Sequence, residues 1–341
     1  MAQEKPNVDN ESEQGLFSAA QTENELTNAD QIGRILDRSV YAPMQILWAD
    51  WRAKVSIPIL LFYLLMGTVG VAIIPQPESH MFDTFIGPFQ SLQHPLGTDG
   101  FGQPIFPQLV HATPAMFKML LAGAIFASAV AVLIGLVSGF KGGSIDTLLM
   151  TFTDIVLTMP GLPLIIFLTA IYPPRDPFLV GILLAIDNWP GLARSIRSQV
   201  LSIRESEFIE AARTMDISTS RILTHDVLPQ MMPYIMINSA GTARSVITES
   251  VALYFLGILP FTTFNWGVMM NMANEMGAVA DPGRAGHWLL WPALALSLLG
   301  FALTLFSQSM DRVWNPRLRA RHSETVSSDD DDNAQTLSPM D

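Results

Sequence analysis

Two stretches of this sequence, Val55 to Pro75 and Met119 to Phe140, contain no Asp, Glu, Lys, Arg or His. Each is about the ~20 residues that an α-helix rising ~1.5 Å per residue needs to cross ~30 Å of hydrocarbon. Such runs restrict the fold sharply, because in lipid only helices and closed barrels satisfy every backbone N–H and C=O. Both are predicted to be membrane-spanning helices. The composition agrees: 49% of residues are hydrophobic, 15% are charged, and the mean hydropathy is +0.32. The first run is not a cleaved signal peptide, since a long polar head precedes Val55, so the N-terminus is expected to stay attached.

Weaker apolar segments follow: Ile155 to Ile171, interrupted by Pro160 and Pro163; Phe178 to Ile186, closed by Asp187 and Pro190; Tyr234 to Leu259; and Trp288 to Phe306. They bring the expected count to six spans in an all-α polytopic protein. The third is expected to be kinked rather than broken, because neighbouring helices can satisfy the carbonyls that proline frees. Charge placement supports the arrangement, since cytoplasmic flanks collect Lys and Arg. With the N-terminus inside, the inner segments hold Arg52, Lys54, Lys141, Arg194, Arg197, Arg204, Arg213, Arg221 and Arg312, among others. The outer segments hold Arg175 and Arg284, and Gln76 to Phe117 contain neither Lys nor Arg. Both termini then lie in the cytoplasm of a multi-pass cell-membrane protein.

Four regions follow: a polar N-terminal segment, 1–50; the first span and an extracytoplasmic loop, 51–112; a five-helix core, 113–315; and an acidic tail, 316–341. Ile32, Ile35, Leu36, Met44, Leu47, Trp48 and Trp51 recur at near-helical spacing with Arg34, Arg38, Arg52 and Lys54 among them, which fits either an interfacial helix leading into the first span or a disordered leader with aromatic anchors. The net charge of −12, with SSDDDDN at Ser327 to Asn333, argues against nucleic-acid binding and for disordered ends. The excess of acid with only four lysines suggests a salt-adapted prokaryote. The absence of cysteine excludes disulfides, thiolate metal sites and Cys nucleophiles.

In this topology Trp189 to Pro229 is a cytoplasmic loop longer than two packed helices need, and such a loop is usually functional. Ile203, Phe208, Ala211, Ala212 and Met215 give one apolar side, with Glu205, Glu207, Glu210 and Arg213 over much of the rest. Asp216 interrupts this helix, Ser218 can cap a second one carrying Ile222, Leu223 and Val227, and Pro229 is expected to end it. Two short helices with a sharp bend form either a knob that docks into a groove on another protein or a plain exposed connector.

The stretch resembles the EAA loop of inner-membrane permeases in binding-protein-dependent ABC importers. Glu210, Ala211 and Ala212 match its opening, and Val227, Leu228 and Pro229 match its close at the right spacing. Other segments resemble the dipeptide, oligopeptide and nickel branch, in the second permease subunit. These are His94-Pro95-Leu96-Gly97-Thr98-Asp99; Trp189-Pro190 with Ala193-Arg194, Arg197 and Leu201; Glu249 with Phe255-Leu256-Gly257; Asn265-Trp266-Gly267; and Asp311 with Asn315-Pro316-Arg317. The similarity runs in order from about residue 50 to about residue 320. It implies a type I ABC importer permease fold, one leading span before a five-helix core, in which the EAA loop is a coupling helix seated in a cleft of an ATPase. Glu210, Ala211, Ala212, Asp216, Leu228 and Pro229 would form that contact.

Asp216 stands where the family has Gly. A Gly there supplies the left-handed conformation that ends a helix, and Asp is among the residues that visit it next most readily, at a cost on the order of ~1 kcal/mol. Gln103-Pro104 likewise replaces a common Arg-Asp after the outer motif.

The chain has no G-x-x-x-x-G-K-[ST] loop to hold ATP phosphates, so energy is expected from a partner. His80, His94, His111, His225, His287 and His322 show no metal-binding spacing, and no cofactor or catalytic motif is found. An intramembrane serine protease using Ser138 is a rival, but Gly135 and Gly139 read more simply as a close-packing pair. A channel or secondary transporter would need a polar path. Arg244 and Glu249 fall within the fifth span, where a lipid-facing charge costs ~2.5 to 3.5 kcal/mol. Arg244 either lines a path and meets a peptide carboxylate or has a structural partner. Glu249 is expected to make a structural hydrogen bond.

The resemblance implies one permease subunit paired with a second permease, two ATP-binding cassette subunits inside, a substrate-binding protein outside, and membrane lipid around. Its cargo would be di- or oligopeptides, with nickel, oligosaccharides and other small solutes as alternatives.

Overall fold

The computed structural model describes residues 50–261 and 264–314. Among these residues the chain is helical, with no named strand and one isolated bridge between Thr98 and Pro104. The acidic tail, the Asn315-Pro316-Arg317 motif and the expected interfacial helix up to Trp48 lie outside the described residues, while Trp51, Arg52 and Lys54 belong to the first helix itself.

Helix α1, Trp51–Ile73, starts where the Asp50 side chain accepts the Arg52 N–H at 3.0 Å, and it contains a π turn at Met66–Gly70. Tyr63 is buried and donates its hydroxyl to the Ala295 carbonyl at 2.9 Å, while Leu61, Phe62, Leu64 and Leu65 point outward. An outer surface so apolar is stable in lipid and not in water. Helix α2, Ile105–Lys141, has 37 residues and is about 55 Å long at ~1.5 Å per residue. It begins well before the apolar run at Met119, and its first turns carry the polar Gln108, buried against Asp99, and His111, whose Nε2 lies 2.8 Å from the Ile74 carbonyl. Gly135 and Gly139 pack as expected: a Cβ on either would lie within 3 Å of Ile196 or Val200 on a neighbouring helix, so the two backbones meet directly. Ser138 between them is fully buried and offers no hydroxyl to a substrate.

The third apolar segment is broken, not kinked. Helix α3, Gly143–Thr158, and helix α4, Gly161–Ile171, meet at 88°. Met159 precedes a proline and is driven to an extended conformation (ψ 131°), and Pro160 is extended too (ψ 117°) before α4 restarts. Pro163 sits in the first turn of α4, where a missing N–H leaves no bond unmade.

Helix α5, Pro177–Leu184, has 8 residues, about 12 Å, and is too short to cross alone. A turn leads from it into helix α6, Trp189–Arg204, so the segment after Trp189 is not loop until Arg204. Trp189, Leu192, Ala193, Ile196 and Val200 bury one stripe of α6 along α2. The loop expectation failed because Arg, Ser and Gln alternate with the apolar residues of α6 and interrupt any apolar run, although the apolar ones keep helical spacing.

Helix α7, Glu207–Thr214, and the short α8, Thr219–Arg221, follow, and a π turn at Ile222–Val227 joins α8 to helix α9, Leu228–Phe255. Pro229 therefore lies in the first turn of α9, second after Leu228, instead of ending a helix, and the wider π turn before it relieves its ring. Helix α10, Trp266–Glu275, has no counterpart in the expected spans; Asn265 caps it by accepting the Val268 N–H at 3.0 Å. Helix α11, Pro282–Trp314, closes the described bundle.

Helices α1, α2 and α11 are long and apolar enough to cross a membrane, and α3 with α4 forms a bent fourth candidate. Two hydrophobic clusters hold the bundle. One joins α2, α5, α6, α7 and α9 through Met119, Ile196, Ile209 and Met231; the other joins α1, α2, α9, α10 and α11 through Tyr63, Met116, Ile247, Trp266 and Trp288.

Candidate functional site

The sequence fixes α7 through its ends. Glu207 and Glu210 lie in the first turn and Arg213 in the last, each complementing the helix dipole. Past Thr214, the Asp216 N–H reaches the Arg213 carbonyl at 3.0 Å and the Ile217 N–H reaches the Ala212 carbonyl at 3.1 Å. This pair of bonds is a Schellman motif, and it requires Asp216 in the left-handed region, where its φ is 56°. The bend expected at Asp216 thus forms without glycine.

The apolar side expected on α7 divides in two. Ile209 and Ala212 are buried in the core, with Ile203 and Ile217 packed against it, whereas Phe208, Ala211 and Met215 are exposed on another side. Phe208, Ala211 and Met215 share a helical stripe, and the Glu210 side chain beside them is exposed with no hydrogen bond or ion pair among the described residues. The Arg213 guanidinium lies 4.9 Å from the centre of the Phe140 ring, which ties α7 to the end of α2. Ser218 occupies the cap position of α8, but its side chain makes no capping bond. Leu228 is half-buried against the core and Pro229 is exposed, so the sequence-predicted residues do not form one patch: Glu210 and Ala211 face out while Ala212 and Leu228 anchor.

Two Arg–Asp pairs join α6 to α3 beside this loop. Arg197 grips Asp146 with two bonds of 2.6 and 2.5 Å, and Arg194 pairs with Asp154. Trp189 stacks on Phe152 with ring centres 5.8 Å apart. These contacts were missed from sequence, although Asp146 and Asp154 recur two turns apart and Arg194 and Arg197 one turn apart.

In α9, one face is buried through Ile235, Ala243, Val246, Ile247, Ser250 and Tyr254. The opposite face exposes Met232, Met236, Arg244, Thr248 and Ala252. The Arg244 guanidinium has no partner among the described residues. Glu249 is half-buried, and its Oε2 is sealed from solvent without a hydrogen bond among the described residues, where the structural bond expected of it is not found.

The His94–Asp99 motif has a different character. Thr98 Oγ1 accepts the Ile86 N–H at 2.9 Å and donates to the Asp83 carbonyl at 2.7 Å. Asp99 accepts the N–H groups of Phe101 and Gln103 and the Gln108 amide, each at 2.8 Å. Burial pushes the Asp99 carboxyl above the ordinary aspartate value, and these donors pull it back. Trp291 Nε1 donates to the Leu96 carbonyl at 3.0 Å, and His287 Nε2 lies 3.0 Å from the Thr98 carbonyl. The motif folds the loop onto α11, and Gln108 supplies a neutral partner to Asp99. No group of three or more metal-ligating side chains occurs among the described residues.

Comparison with known proteins places this arrangement. The family described as binding-protein-dependent transport system inner membrane component matches residues 131–320. The dipeptide transport system permease protein DppC of Bacillus subtilis (strain 168) is 28% identical over 272 residues, 78% of this chain and 82% of its own length. The oligopeptide transport system permease protein OppC of the same organism is 28% identical over 231 residues, 67% of this chain and 73% of its own. The glutathione transport system permease protein GsiD of Pectobacterium atrosepticum is 29% identical over 300 residues, 84% of this chain and 95% of its own. The matched region holds the glycine pair of α2, the α3–α4 break, the α7 loop and the exposed face of α9, and this chain belongs to the inner-membrane permease family of binding-protein-dependent transport systems.

Proposed function

We propose that this chain is one of two permease subunits of an ATP-driven importer, working with a second permease, two ATP-binding cassette subunits on the inner side and a substrate-binding protein on the outer side. The observation that carries the reading is α7: an exposed stripe of Phe208, Ala211 and Met215 beside the free Glu210, stiffened by the Asp216 bend. Such a helix suits a groove on an ATPase. Peptide cargo follows from the dipeptide, oligopeptide and glutathione permeases that the chain resembles.

The six spans are then α1, α2, α3 with α4, α5 with α6, α9 and α11, with the core at 113–315 and both termini inside. This assignment puts Lys141, Arg204, Arg213 and Arg221 at the inner face and the Lys- and Arg-free stretch 76–117 outside. In α9, a lipid-facing Arg244 would cost ~2.5 to 3.5 kcal/mol, so the face carrying it belongs to an aqueous path shared with the second permease. ATP-driven closure of the partner ATPases moves α7. Because α7 runs into α6 through two residues and is joined to α9 through α8, its displacement passes to both, and α6 carries α3 with it through Arg197–Asp146. The acidic surplus and scarce lysine suit a salt-adapted host, in which uptake would persist at molar salt.

The test is uptake of a labelled dipeptide by proteoliposomes holding the whole importer and its binding protein. Uptake that needs ATP and falls in Arg244→Met supports the reading. Solute flux through this chain alone, down a gradient and without ATP, would replace it with a channel.

A further inference from the structure

A cavity of about 690 Å³ lies where the loop after α1 meets α2 and α10. Phe101, Phe264 and Met272 give it apolar wall, and Gln103, His111 and Lys118 bring polar atoms to it. Its size and its mostly apolar lining with few polar groups are those of a small-molecule site, for which ~300 to 1,000 Å³ is usual. The lining includes one lysine and no Asp or Glu. The His111 Nε2 is already engaged, 2.8 Å from the Ile74 carbonyl. The Lys118 ammonium has no hydrogen bond or ion pair among the described residues.

Lys118 lies roughly 35 Å along α2 from Lys141 at ~1.5 Å per residue, just beyond ~30 Å of hydrocarbon. In the topology proposed above it stands at the outer mouth. A lysine at such a depth can reach lipid headgroups by extending its stem. This one instead borders a cavity with an apolar wall and no competing acid.

We propose that this cavity receives the carboxylate end of an incoming peptide, with Lys118 pairing the carboxylate and Phe101, Phe264 and Met272 packing on the last side chain. The inference rests on the peptide-importer reading and adds a polarity to it. A free ammonium end would find no acid in the cavity, so the carboxylate end is the one retained.

The test is equilibrium binding of labelled Ala-Phe and of its C-terminal amide to the assembled permease and ATPase complex in detergent, without the binding protein. The free acid is expected to bind about tenfold tighter or more than the amide, the scale of one charge-assisted contact. Lys118→Met is expected to abolish that preference and Lys118→Arg to keep it. Equal binding of acid and amide, no binding of the acid, or a preference that survives Lys118→Met overturns the site. A preference that added phosphatidylglycerol removes would assign the cavity to a lipid headgroup and overturn it as well. Uptake of Ala-Phe by the complete importer is scored separately: uptake without acid-selective binding overturns this site alone, and no uptake overturns the peptide-importer reading.

Discussion

In the loop after α1 His94, Thr98 and Asp99 are buried, and Thr98 and Asp99 have their side-chain oxygens bonded within the chain, whereas around α7 Glu210, Ala211 and Asp216 are exposed and the Glu210 side chain has no partner among the described residues. Both segments carry family motifs, so motif membership alone does not separate a structural role from a contact role. Hydrogen-bond accounting does. A motif that spends the side-chain oxygens of Thr98 and Asp99 on its own backbone and on Gln108 builds a loop, and one that leaves a charge free on a rigid helix is available to a partner.

Substitutions can break or sharpen that contrast. The largest effect is expected at Asp99→Ala, which strands the N–H groups of Phe101 and Gln103 and the Gln108 amide at a cost of about 3 kcal/mol or more. The melting temperature in detergent is the measurement, and an unchanged value would show that the loop after α1 is not held by its motif. Asp216→Val comes next at about 1 to 2 kcal/mol, because a β-branched side chain opposes the φ of 56°, while Asp216→Gly is expected to be neutral or slightly stabilising. A smaller coupling, about 1 kcal/mol, is expected from a double-mutant cycle on Arg197 and Asp146. The more exposed pair of Arg194 and Asp154 is expected to give less. Equal coupling in both pairs would remove the reason to route motion through Arg197.

Much of the helical architecture was legible in the sequence, and the limits have physical causes. α1 and α2 were found because uninterrupted apolar runs have few other stable solutions in lipid. The bend at Asp216 was found because few residues tolerate its backbone. Helix α6 was missed as a packed helix because Arg194 and Arg197 made it look solvated, when their partners Asp154 and Asp146 lie far away in sequence. The α3–α4 break was underestimated because Met159 and Pro160 both turn extended, and local pattern cannot say whether neighbours rescue a proline. Helix α10 is set by the buried Trp266, whose Nε1 donates to the Leu109 carbonyl at 3.3 Å, a tertiary contact with no local signature. For Glu249 the expected hydrogen bond is missing among the described residues, which supply no partner for its Oε2.

Docking of α7 on an ATPase, as proposed above, is tested most directly by charge reversal at Glu210. Glu210 is exposed, so Glu210→Arg is expected to move stability by no more than about 0.5 kcal/mol. The measurement is co-purification of the ATPase subunits with the full-length permease, read beside the melting temperature. Loss of the ATPase from the complex at an unchanged melting temperature is expected; retention of the ATPase at wild-type levels would contradict docking through α7.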